Sequence, residues 1–140
     1  DEWYPSGAQF LHHYRSAVSE GWLNNAAFQL HQATERYYHC ILLVCTFHTP
    51  HIHNLVFLRT QAERIDDRLI EAWPREVKAD RSRFEKLKEA YIKARYSKHY
   101  AITADELEWL GARVQHLAGI VETICRDRIA ELETTARQAG

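Results

Sequence analysis

The sequence predicts an all-α fold: an antiparallel up-and-down bundle of about five helices, four long core helices and a shorter one at the N-terminal side. Three observations carry this. Apolar residues recur every three or four positions along the whole chain, and no stretch alternates with period two. The five Gly and three Pro fall mostly between the periodic segments. Side chains that can cap helices stand at the starts of those segments.

The first helix is expected after Ser6, where Ser6 and Gln9 have capping-box spacing. Phe10, Tyr14 and Ala17 form its apolar stripe, and Gly21 ends it. The second helix runs from about Trp22 to Phe47, with Leu23, Ala26, Leu30, Ala33, Tyr37, Ile41 and Val44 on its face. At 1.5 Å per residue its length is roughly 39 Å, which suits a bundle. Thr49-Pro50 stops it, because a residue before proline avoids the α region. Asn54 caps the third helix, whose stripe is Leu55, Leu58, Ala62, Ile65 and Leu69, and Trp73-Pro74 breaks it. The fourth helix begins near Asp80, carries Phe84, Leu87, Tyr91 and Ala94, and runs out between Arg95 and His99. The fifth has a capping box at Thr103 and Glu106. Its seam is Leu107, Leu110, Val114, Leu117, Val121 and Ile124. Gly111 and Gly119 lie on one face of it and allow close approach of a helix or of a second copy. The connections are short, so consecutive helices are expected to be antiparallel neighbours.

The chain of 140 residues reads as one domain over 1–140, with 46% hydrophobic and 26% charged residues. With no Met in the sequence, the expectation is a domain cut from a longer chain. No apolar run approaches the ~20 residues that span a bilayer, so no membrane role is expected. Cys40, Cys45 and Cys125 are too few and too scattered for a disulfide framework, and read as buried, reduced thiols of a cytoplasmic protein. The net charge of −1 gives no global field toward nucleic acid. Its distribution is uneven, however. Between Arg75 and His99 there are nine Lys/Arg and four Asp/Glu.

Three groups of residues could carry chemistry. Arg95 and His99 are four apart and share a face if the helix persists; Arg81 and Lys88 fall on the same face at intervals of seven. That basic stripe, with Tyr96 and Lys98 beside it, could hold a phosphodiester through Arg95 and move a proton through His99. Its alternative is a solvated cationic face. His48, His51 and His53, with Cys45, could hold zinc, but their spacing matches no familiar site. They read otherwise as loop histidines, His53 helping to cap the third helix. On the second helix, His31 and Glu35, and Glu35 and His39, are each four apart, with Tyr38 beside them. They could approach the Arg95 region or form a hydrogen-bond network at the core edge. There is no Gly-rich phosphate loop, His-Glu-x-x-His, Cys-x-x-Cys or Gly-x-Ser-x-Gly, so no cofactor or metal is implied.

The segment Ala26-Ala27-Phe28-Gln29-Leu30-His31-Gln32-Ala33-Thr34-Glu35-Arg36-Tyr37-Tyr38 resembles the first long helix of HEPN domains, named for higher-eukaryote and prokaryote nucleotide binding. His53-Asn54-Leu55 looks like the turn that opens the next helix of that family. Ala90-Tyr91-Ile92-Lys93-Ala94-Arg95-Tyr96 looks like the approach to its signature arginine. The resemblance spans about Phe10 to Leu132, and is closest to the HEPN domains that follow a minimal nucleotidyltransferase domain.

That resemblance implies a helical bundle that often dimerises. Ribonuclease members carry an Arg and a His, with four to six residues between them, in a cleft between protomers, and cleave RNA without a metal through the ribose 2′-hydroxyl. The matching residues are Arg95 and His99, with only three between them, and Tyr96 stands where a polar residue often follows the arginine. The expectation is therefore a homodimeric module that binds a nucleotide or RNA phosphate through Arg95, Lys88, Arg81, Lys98 and Tyr96, accessory to a fused or neighbouring nucleotidyltransferase domain. The alternative is a metal-independent, toxin-like ribonuclease using Arg95 and His99, of the kind paired with an antitoxin.

Overall fold

A computed structural model describes residues 2–139. Among them are α1 (Trp3–Ser19), α2 (Leu23–Thr46), α3 (Leu55–Ile65), α4 (Lys78–Tyr96) and α5 (Ala104–Ala139), with a 3₁₀ helix over Asp67–Ala72 between α3 and α4. The described residues contain no strand.

The helix α2 forms the axis of the bundle, and every other α-helix packs on it. Ala26, Ala27, Leu30, Ala33, Tyr37 and Ile41 are all buried there. Small residues at the first of these positions let the neighbours come close, and the larger ones fill the middle. The Tyr4 hydroxyl donates to the Ala118 carbonyl at 3.2 Å, and that of Tyr14 to the Leu107 carbonyl at 2.8 Å. These bonds set α1 antiparallel to α5. Gly111 makes room for the second of them, since a Cβ there would collide with the Tyr14 ring. Gly119 has nothing near it, so close approach within the chain explains only one of the two glycines.

Several boundaries follow the local chemistry. Gly21 takes φ 77, and the N–H groups of Gly21 and Trp22 close back onto Val18 and Ala17. The Asn54 side chain accepts the Phe57 N–H at 3.2 Å and starts α3. Both capping-box bonds form at α5: Glu106 N–H to Thr103 Oγ1 at 3.1 Å, and Thr103 N–H to Glu106 Oε1 at 2.9 Å.

Two boundaries differ from expectation. The helix α1 starts at Trp3, not after Ser6, so no capping box forms at Ser6 and Gln9. Pro5 falls in the first turn, where its missing N–H is no loss, and the Ser6 N–H bonds the Glu2 carbonyl. The third helix does not continue to Leu69. Asp66 is extended and its carboxylate takes the N–H and guanidinium of Arg68, so the chain stops and restarts as 3₁₀. Leu69 and Ala72 remain buried, and the buried Trp73 indole donates to the Tyr38 hydroxyl at 2.8 Å, tying the approach to α4 onto α2.

Cys40 and Cys125 are buried thiols whose sulfurs lie 3.8 Å apart, and Cys45 is half-buried.

Candidate functional site

The helix α2 carries two buried polar residues one turn apart, His31 and Glu35. They face the connection before α3 and the last turns of α4. From that connection His53 reaches in, with Nδ1 2.9 Å from both Glu35 carboxylate oxygens. The Glu35 side chain is 2% exposed and that of His53 50% exposed. A carboxylate only accepts, so His53 donates through Nδ1–H, and Nε2 is left on the far side of the ring from Glu35. Burial pushes the Glu35 carboxyl above the usual range, and the bond from His53 and that residue's charge oppose the push. Burial also pushes His31 down to about 4, so at neutral pH it is uncharged and its 3.8 Å approach to Glu35 is no ion pair.

Tyr91 of α4 covers this pair. Its ring stacks on His53 with centroids 4.3 Å apart and planes 12° from parallel, and it meets His31 at 5.4 Å. One turn further on, the Arg95 guanidinium lies 4.5 Å from the Phe28 ring centroid, 4.8 Å from that of Tyr91 and 5.0 Å from that of Tyr96. Its Nε donates to the Tyr91 carbonyl at 2.8 Å. No carboxylate among the described residues pairs with it. The exposed guanidinium is thus held by cation–π attraction to three rings and by one hydrogen bond through Nε.

The other residues singled out in the sequence lie elsewhere. The helix α4 ends at Tyr96 and Ser97 is extended, so the helix does not persist and His99 leaves the face of Arg95. His99 is exposed; its backbone N–H bonds Ser97 Oγ, and its side chain borders a shallow depression beside Lys86 and Tyr100. Arg81 turns back to the start of α4, donating to the carbonyls of Arg75 at 2.6 Å and Glu76 at 3.0 Å. Lys88 pairs with Glu85, and Lys93 with Glu89. Arg75, Arg83 and Lys86 are likewise paired, with Glu63, Asp80 and Glu106. The basic stripe is therefore largely neutralised. Lys98 and Tyr96 are exposed beside Arg95.

The histidine groups are also rearranged. His48 and His51 are exposed, and His53 joins Glu35 while Asn54 alone supplies the α3 cap. His39 makes no hydrogen bond to Glu35, and its ring lies 4.9 Å from that of Trp3. Among the described residues no three His, Cys, Asp or Glu side chains are grouped to hold a metal ion. The sequence contained the components of the site, Glu35, His53 and Arg95, but in three separate groups. Tyr91, which joins them, read as part of a bundle stripe, and Phe28 was singled out only within the family-like segment of the second helix.

The sequence matches the HEPN domain family over residues 1–124. The chain belongs to the HEPN domain family. A comparison with curated proteins gives no match. Membership associates the chain with nucleotides and RNA, and gives the bundle its family identity. No helix among the described residues of this HEPN domain is long and apolar enough to cross a membrane.

Proposed function

We propose that this HEPN domain binds the phosphate of a nucleotide or of RNA through Arg95, as a homodimeric, cytoplasmic module accessory to a nucleotidyltransferase domain. One observation carries the binding: Arg95 lies by the rings of Phe28, Tyr91 and Tyr96 without a carboxylate, while Arg83, Lys86, Lys88 and Lys93 before it on α4 are paired with acids. A pre-ordered guanidinium fork loses little entropy on taking two phosphate oxygens. Tyr96, 75% exposed, offers a ring on which a base can stack.

Calorimetric titration with ATP and with a short single-stranded RNA tests this. Arg95→Ala is expected to weaken binding about tenfold or more, as loss of a charge-assisted bond does. Equal affinity in the variant would reject the reading. The two titrants separate a nucleotide site from an RNA site. RNA cleavage through Arg95 and His99 has less support, because the end of α4 parts them. Labelled RNA is expected to stay intact in EDTA, and cutting that both Arg95→Ala and His99→Ala abolish would reverse this.

The dimer is supported by exposed apolar side chains at Val56 and Ile92, which line one groove with Tyr91. Sedimentation showing only a 16.4 kDa species would remove that part. The accessory role rests on the resemblance, over about Phe10 to Leu132, to HEPN domains that follow a minimal nucleotidyltransferase domain. Reading the sequence encoded before Asp1 tests it.

A further inference from the structure

Spacing in the sequence pairs Arg95 with His99, but the fold brings a different histidine to it. We propose that His53, held by the buried Glu35 carboxylate, is the second phosphate-binding side chain of the Arg95 site. This rests on the phosphate-binding reading of Arg95 and extends it.

Three observations carry the assignment. The first is orientation. Glu35 grips Nδ1 through both oxygens, and the ring stacks nearly parallel on Tyr91, so its plane and direction are both fixed. Nε2 therefore points away from the core. Protonated, the ring donates Nδ1–H to Glu35 and Nε2–H to a phosphate oxygen, so one imidazolium is shared between protein and ligand.

The second is proximity to Arg95. His53 and the Arg95 guanidinium each lie within 5 Å of the Tyr91 ring centroid. One aromatic ring is thus in contact with two nitrogen donors from different elements, His53 of the connection and Arg95 of α4.

The third is what the pair does not do. Asn54, not His53, caps α3. Taking a carboxylate out of water is costly, and an apolar residue at 35 would pack against α4 without that cost. A buried acid behind a half-exposed histidine is the arrangement that orients an imidazole for something outside the protein. His99 has no such support: among the described residues its only hydrogen bond is through the backbone. The lysines beside His53 in the same groove, Lys88 and Lys93, are occupied by Glu85 and Glu89.

The test uses His53→Gln, whose amide keeps a donor for Glu35 but loses the cationic Nε2–H. If His53 were only structural, the amide would serve. Titration with ATP and with the short single-stranded RNA is expected to show affinity reduced about tenfold with the thermal midpoint retained. His99→Ala is expected to bind as the parent does. Parent-like affinity in His53→Gln, alongside weakened binding in Arg95→Ala, would overturn the role of His53 and leave that of Arg95 standing. No effect of Arg95→Ala would instead remove the underlying reading. Should His53→Gln fold poorly, imidazole ¹⁵N spectra of the unaltered protein decide. Added ATP is expected to move the His53 Nε2 resonance and not that of His99, and an unmoved His53 would overturn the proposal.

Discussion

Two connections of this HEPN domain, residues 48–54 and 97–103, look alike in sequence and behave differently in the fold. Each leaves a long helix, carries histidine and leads into a helix with a side-chain cap, Asn54 for α3 and Thr103 with Glu106 for α5. The first lies over a buried acid and an aromatic ring, which seize His53. The second buries Tyr100 and Ile102 and leaves His99 exposed. What a histidine can do is set here by the elements behind it, and nearness to Arg95 along the chain decides nothing.

The largest expected effect separates the two regions by acid. Burial pushes both His31 and His39 down to about 4, with Arg36 adding to the shift at His39. Both are therefore neutral in the fold, whereas in the unfolded chain they take protons near 6.5. Their stabilisation is complete above that value and is lost as pH falls from about 6.5 to about 4, on the order of 3 kcal/mol for each. Glu35 acts in the opposite sense. Its raised carboxyl takes a proton in the fold before the unfolded chain would, which returns part of the loss. Thermal melts are expected to fall steeply across this window. His39→Phe should flatten the fall, and His99→Ala should leave it unchanged. A midpoint that stays level between pH 6.5 and 4 would mean that the polar layer beneath residues 48–54 is not held as described.

The caps provide a smaller, paired effect. Asn54→Ala and Thr103→Ala should each cost about 1 kcal/mol in denaturant melts, since each removes one side-chain bond to a helix start. Only Asn54→Ala should also weaken ATP binding, because Asn54 adjoins His53. Equal binding losses in both variants would show that the two connections contribute alike.

The caps were also what the sequence disclosed best. Asn54, Gly21 and the Thr103–Glu106 pair act within a few residues, so composition and spacing locate them. The start of α1 differs because Ser6 and Gln9 have capping-box spacing inside a helix that already begins at Trp3, with Pro5 tolerated in its first turn. The break at Asp66 was missed because a local carboxylate–backbone bond competes with an unbroken apolar stripe. The site was legible only in pieces. Periodicity put His31 and Glu35 on one face and brought Arg95 to a helix end, but His53 joins them across the bundle. Arg81 and Lys88 have the right spacing for a stripe. Their long side chains nevertheless bend away, one to the Arg75 and Glu76 carbonyls and the other to Glu85.

That bending leads to the smallest expected effect. If charge in the first three turns of α4 is spent on partners within the chain, RNA meets one or two cations and not a stripe. The logarithm of affinity falls with the logarithm of salt by about 0.7 for each phosphate neutralised on a single strand. A shallow slope of about −0.7 to −1.4 is expected for the Arg95 and His53 pair, against roughly −2 or steeper for three or more contacts. Lys88→Ala and Arg81→Ala should each leave that slope unchanged and the affinity within about twofold, because Lys88 is held by Glu85 and Arg81 by two backbone carbonyls. A slope that drops on removal of Lys88 would mean that RNA displaces Glu85. The binding face would then extend along α4, away from the histidine that the fold has placed beside Arg95.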